Sequence, residues 1–192
     1  SIILETNKKT RTILTYKGAS DSLKISEINL KELRAKWMHF TTMAGNSFET
    51  QKKIIEFAKK RGIKTSFNPS TYQVKMGLKH LLPILRNIEV LTLNKEEAKI
   101  LMSKGNILKE LHKSGPEIVC VTNGDKEGQI YDGSFIYSYT PNKINVEEST
   151  GAGDVFASTF IAGIIRFNDI EMAIKAAMAN TESAIRIPGI RE

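Results

Sequence analysis

The sequence predicts an α/β fold with a largely parallel sheet, and two observations carry that prediction. Segments with strand patterning alternate with segments of helical period along most of the chain, the order expected of strands joined by crossover helices. The chain is also long enough, at 192 residues with 41% hydrophobic and 26% charged side chains, to bury about two-thirds of its unfolded surface in one core. This composition excludes the disordered and collagen-like classes.

The elements follow in order. "IILET" and "RTILTY" alternate apolar with polar residues around a turn at Asn7 and Lys8, and read as a hairpin. "SEINLKELRA" suggests a short helix and "KWMHFTTM" a strand. "SFETQKKIIEFAKKRG" has the helical period, with Ser47 at its start and Gly62 as its stop. "IKTSFNPS" is a strand ending at Asn68 and Pro69. "GLKHLLPILRN" is helical, "IEVLTLN" a strand, "KEEAKILMS" and "ILKELHKSG" helical, and "EIVCVTNG" a strand. "GQIYDGSFIYSYT" reads as a hairpin turning at Asp132 and Gly133. "GDVFASTFIAGIIRF" and "DIEMAIKAAMANTESAIRI" close the chain as two helices.

The formal net charge of +7 favours anionic partners, but the basic residues are scattered through helical segments such as "QKKIIEFAKKRGIK" and do not form one stripe. Interleaved aromatic and basic residues suited to stacking on nucleic acid are also lacking, so no nucleic-acid partner is expected. No run approaches the ~20 apolar residues of a membrane span, and no membrane partner is expected either. The single cysteine, Cys120, sits in an apolar strand pattern and reads as a buried core residue in a reducing, cytoplasmic setting. The opening "SIILET" starts in mid-strand pattern without an initiator methionine, as an internal piece of a longer chain would.

In parallel α/β sheets ligands bind beyond the carboxyl ends of the strands. That rule selects Asn68, Asn94, Thr122 to Gly124 and the loop before Gly151. In "EESTGAGDVFASTF", Gly151 and Gly153 allow close backbone approach at a helix N-terminus, where unpaired amides and the helix dipole make an anion site. Asp154, one residue further on, would repel a phosphate unless its task is to accept a proton. A carboxylate beside a hydroxyl acceptor, with amides that stabilise a phosphoryl group in flight, is a minimal phosphoryl-transfer constellation. The competing reading is a tight turn with Asp154 as a helix cap, and the local motif alone does not separate the two.

The longer stretch "ESTGAGDVFASTFIAGI" resembles the C-terminal signature of the ribokinase-like (PfkB) carbohydrate kinases, Asp-Thr-Thr-Gly-Ala-Gly-Asp-x-Phe followed by a small-residue helix. "LNKEEA", "VTNG" with "GQIYDG", and "AKWMHFTTM" match further family segments in the family's order. The resemblance implies a three-layer α/β/α fold with a small β lid, and covers the C-terminal two-thirds of a longer kinase. Residues 1–20 would be part of the lid. Residues 21–192 would be the nucleotide-binding and catalytic core, without the N-terminal region that builds most of the sugar pocket.

By the same resemblance Asp154 is the base that deprotonates a sugar hydroxyl, and the amides of Gly151, Ala152 and Gly153 form the anion hole for the γ-phosphate of ATP. Asn94 and Glu97 organise Mg2+ through water, as suits an ion that keeps several waters. Thr122 and Gly124 lie against the nucleotide, and Asn180 falls where the family brings a helix residue to its adenine or ribose side. Glu148 and Ser149 replace the usual Asp and Thr of a loop that helps bind a monovalent cation in several members, which counts against cation activation. "TNGDKEG" carries one residue more between its glycines than the usual nucleotide loop, and neutral Asn68 stands where Asp is frequent, so no catalytic role is expected of it. The implied activity is transfer of the γ-phosphate of Mg-ATP to a carbohydrate hydroxyl. A nucleoside kinase of the same fold and a non-catalytic nucleotide-binding protein are the alternatives, and a homodimer through the lid is the implied assembly.

Overall fold

The computed structural model describes residues 2–5, 11–142 and 151–186. The expected turn at Asn7 and Lys8 and the cation-loop residues Glu148 and Ser149 lie outside the described residues. Ile2–Glu5 (β1) and Arg11–Leu14 (β2) pair antiparallel as a two-stranded sheet of their own. The main sheet has six strands: Trp37–Phe40 (β3), Lys64–Phe67 (β4), Val90–Asn94 (β5), Ile118–Thr122 (β6), Gly128–Tyr131 (β7) and Ile136–Tyr139 (β8). They lie side by side in chain order, β3 to β6 parallel and β7 and β8 antiparallel.

Strands laid down in chain order with right-handed crossovers place every crossover helix on the same face. Gly45–Lys60 (α1), Thr71–Val74 (α2), Leu78–Leu85 (α3), Lys95–Leu101 (α4) and Ile107–Lys113 (α5) are those crossovers. They pack Phe48, Ile55, Leu81, Leu85 and Leu111 against Phe40, Phe67, Leu91, Leu93 and Val119. The opposite face needs its own cover, because Val90, Cys120 and Ile130 point that way. Ala152–Phe167 (α6) and Ile170–Arg186 (α7) supply it through Phe156, Phe160, Ala173 and Ala177. The result is a three-layer α/β/α architecture. Cys120 is fully buried, and burial pushes its thiol pKa up, so it is a core residue with no nucleophilic character.

Three local expectations differ from the structure. The helix expected at "SEINLKELRA" is two 3-10 turns, Ile25–Glu27 and Leu30–Glu32. Here side chains compete for the backbone: Lys24 N donates to Glu27 at 2.7 Å and Lys31 N to Asn29 at 3.3 Å. Ser47 does not start its helix, which begins at Gly45; its buried hydroxyl accepts from Leu23 N at 2.9 Å. The turn after β7 spans residues 132–135, longer than the two-residue Asp132-Gly133 connection. The Asp132 carboxylate caps it by accepting from the amides of Ser134 and Phe135 at 2.8 and 2.6 Å.

Desolvation alone would raise the Asp132 pKa, but those amides and the Tyr137 hydroxyl outweigh it and hold the carboxyl below its ordinary value. A depressed folded-state pKa gives stability that is present above the unfolded value of about 3.9 and is lost as pH falls through the folded value. Asp132→Asn should therefore lose less thermal stability between pH 7 and pH 3 than the parent, as read by melting curves. Equal losses would place the acid sensitivity elsewhere.

Candidate active site

A cleft of about 360 Å3 opens at the carboxyl ends of the parallel strands, lined among others by Thr41, Thr42, Asn68, Asn94, Glu97, Thr122, Gly153 and Asp154. Its roof is the start of α6. Gly151 caps that helix with φ +81°, a left-handed conformation that favours glycine. The first intrahelical bond of the ladder runs from Val155 N to Gly151 O at 2.9 Å. The amides of Ala152, Gly153 and Asp154 thus precede it, and at a helix N-terminus such groups carry positive partial charge. A Cβ built on Gly153 would meet nothing within 4 Å, so the backbone there is open to a ligand. Asp154, the third residue of α6, is exposed.

The opposite wall is the β5–α4 junction. Asn94 caps α4 by accepting from Glu97 N at 2.9 Å, and the Glu97 carboxylate returns a bond by accepting from Asn94 N at 3.1 Å. This reciprocal capping box explains why the two residues sit three apart. It does not use all of Glu97: only 7% exposed, its carboxylate lines the cleft and also accepts from Thr71 Oγ1 at 3.1 Å. Among the described residues neither Glu97 nor Asp154 is in a salt bridge. A buried carboxylate held by neutral donors alone leaves negative charge for a cation to balance. No group of three or more His, Cys, Asp or Glu suited to holding a metal directly occurs among the described residues. The oxygen atoms that Asn94 and Glu97 present at the cleft are the kind of donor Mg2+ takes, directly or through water.

Thr122 reaches the cleft from the end of β6, its hydroxyl donating to Leu93 O at 3.4 Å. Gly124, at φ +61°, lies beyond it on the turn closed by Lys126 N to Asn123 O at 3.0 Å, with open space on its side-chain face. Asn180 is not brought into the cleft lining; its amide donates to Thr159 Oγ1 at 2.7 Å and ties α7 to α6.

Three features escaped sequence reasoning. Asn68, at the end of β4, donates from Nδ2 to Asp154 Oδ1 at 3.4 Å. His39, on the β3 face beside Trp37, shares Ser66 Oγ with the indole N–H, at 2.8 and 2.9 Å. Desolvation lowers the His39 pKa, and the carboxylate of Asp154 works in the opposite direction. Fully buried Gln51 and Gln73 donate to the carbonyls of Thr41 and Met43 at 2.7 and 2.8 Å and fix the loop after β3. The alternation of "KWMHF" puts Trp37 and His39 on one face, but nothing local marks Asn68 as a neighbour of a residue 86 positions away.

A mostly parallel sheet with helices on both faces, carrying a cleft at its carboxyl edge where a helix N-terminus meets two carboxylates, places the chain in the three-layer α/β class. The family profile described as pfkB family carbohydrate kinase matches residues 1–189, and the chain belongs to that family. An uncharacterized sugar kinase of Archaeoglobus fulgidus is 28% identical over 178 residues, spanning 89% of this chain and 70% of that protein. A cytidine kinase of Thermococcus kodakarensis is also 28% identical, over 85% of this chain and 60% of its own length. In fold, an E. coli structure in complex with ATP and Mg2+ superposes with a TM-score of 0.83 at 20% identity, covering 94% of this chain and 63% of the other. The chain thus spans between three-fifths and seven-tenths of these proteins. Among the described residues no helix is long and apolar enough to cross a membrane.

Proposed function

We propose that this chain carries the phosphoryl-transfer machinery of an ATP-dependent sugar kinase. The observation that carries the reading is the meeting of Asp154 and the leading amides of α6 with Asn94, Glu97 and Thr122 in one cleft. Asp154 takes the proton of the acceptor hydroxyl as that oxygen forms its bond to the γ-phosphorus. The bond from the γ-phosphorus to the bridging oxygen breaks, ADP leaves, and Asp154 returns the proton to solvent. The amides of Gly151, Ala152 and Gly153 stabilise the charge that builds on the transferring oxygens, and preorganised donors of this kind contribute more than any other part of such a site. Asn94 and Glu97 would hold Mg2+ through water, and the ion when bound would neutralise charge on the nucleotide phosphates. Thr122 and Gly124 border the nucleotide.

Nucleoside phosphorylation is the second reading, favoured by the cytidine kinase matching as well in identity as the sugar kinase. A ribose hydroxyl meets the same base in either case. The β1–β2 hairpin forms a sheet separate from the core, with Ile2 and Leu14 cross-strand partners and exposed. An isolated hairpin is marginally stable, which supports its reading as a lid that covers the acceptor and pairs with a second copy.

Calorimetry with ATP, with and without excess Mg2+ and at low and high salt, tests the nucleotide half. The acceptor half is tested on the whole protein with a panel of sugars and nucleosides. Saturable one-to-one binding that survives salt, with transfer to a sugar, supports the proposal; transfer to nucleosides alone selects the second reading. Binding without any transfer selects a non-catalytic nucleotide-binding protein. In Glu97→Gln the metal-dependent gain in ATP affinity should fall by about 10-fold, the lower end of what residues that orient metal ligands are worth. ATP binding without metal should be unchanged, and an unaltered metal-dependent gain would remove Glu97 from the metal's surroundings.

A further inference from the structure

We infer that Asn68 is a positioning residue, which holds the Asp154 carboxylate off the amide cradle of its own helix and toward the acceptor side of the cleft. The inference rests on Asp154 being the base.

An acidic residue at the third position of a helix has a competing partner close by. Its carboxylate is drawn to the unpaired amides and positive end of that helix, as in a capping box. In α6 those amides are the ones a transferring phosphate needs. A free Asp154 would then fold back on them, occupying the anion site and turning its lone pairs away from the acceptor. Asn68 supplies the counter-pull by donating from Nδ2 to Asp154 Oδ1. At 3.4 Å the contact is longer than an ordinary hydrogen bond, as contacts in catalytic sites without substrate often are before they tighten. One carboxylate oxygen is thereby occupied, and Oδ2 remains for the acceptor proton.

The donor is itself fixed. Asn68 N donates to Phe40 O at 2.9 Å, buried Pro69 restricts the following backbone, and Ser70 N donates to Thr42 Oγ1 at 2.6 Å. The next residue, Thr71, reaches Glu97. One short segment after β4 therefore touches both carboxylates of the cleft. The neutral amide supplies a donor that the Asp frequent at this position in the family would not, so the positioning is a property of this chain's Asn68.

The test uses the whole protein with the acceptor identified in the panel above, and compares Asn68→Ala, the isosteric Asn68→Asp, Asp154→Asn and the Asn68→Ala/Asp154→Asn pair. Misplacing a reacting group by about 1 Å costs on the order of 100-fold, so Asn68→Ala should lower kcat by roughly 10- to 100-fold. The KM for the acceptor should stay within about threefold. Asn68→Asp, which keeps the shape and loses the donor, should lose at least as much. In the pair, Asn68→Ala should add nothing to the loss from Asp154→Asn, because it acts only through that carboxylate. Wild-type kcat in Asn68→Asp, or an equal loss with and without Asp154, overturns the positioning role while leaving the base in place. Wild-type kcat in Asp154→Asn overturns the base, and the role of Asn68 with it.

Discussion

Asp154→Asn is expected to reduce phosphoryl transfer by about 10²- to 10⁴-fold, the range a positioned general base contributes, while Mg-ATP binding stays close to that of the parent. The substitution keeps the size and the position of the side chain on α6 and removes the capacity to take a proton. The amides of Ala152 and Gly153 remain, so the phosphate site persists. One negative charge fewer beside that site raises nucleotide affinity slightly if it changes it at all. Single-turnover transfer and calorimetry on the same preparation read the two effects separately. Loss of both together would assign Asp154 to holding the helix start, in keeping with its alternative reading as a cap.

Phe160→Ala carries the largest expected effect on the fold. Phe160 is fully buried on the inner face of α6, its ring stacked on Phe156 at a centroid separation of 6.3 Å, and Phe156 in turn stacks on Tyr139 at 5.0 Å. Removing a buried phenyl ring costs the transfer free energy of its atoms and leaves a cavity, together about 3–5 kcal/mol. The backbone of this face has little room to collapse into the space. A Cβ on Gly163 would come within 2.7 Å of Ala173 Cα, so α6 and α7 already cross in close contact. Urea denaturation followed by far-UV circular dichroism measures the loss; a change below about 1 kcal/mol would show that α6 is anchored elsewhere. Because α6 presents Asp154 and the amides proposed to hold the phosphate, the folded fraction of this variant should also transfer phosphate less efficiently.

The layer order was legible in the sequence because it rests on local and repeated signals. Strand and helix patterns alternate, and buried positions such as Leu91, Leu93, Val119 and Cys120 fall inside the runs that read as strands. The three-residue spacing of Asn94 and Glu97 was legible too, being one turn of helix. So was the glycine-bearing start of α6, since positive φ at Gly151 is demanded by the turn itself. Where side chains compete with the backbone, local reading failed: "SEINLKELRA" has helical composition but folds as 3-10 turns. The Asp132-Gly133 signal marked the hairpin while missing the length of its loop, which the Asp132 carboxylate extends by capping two amides.

What the sequence by itself determined is the set of elements and the chemical character of each strand end, because periodicity, turn chemistry and helix starts are properties of neighbouring residues. Tertiary structure alone decided which of those ends face one another. Asn68 meets Asp154 across 86 positions, Thr71 meets Glu97 across 26, and Asn180 meets Thr159 across 21. Those pairings depend on sheet order and crossover hand, which bring distant carboxyl ends to a common edge, and no window of neighbouring residues contains that information.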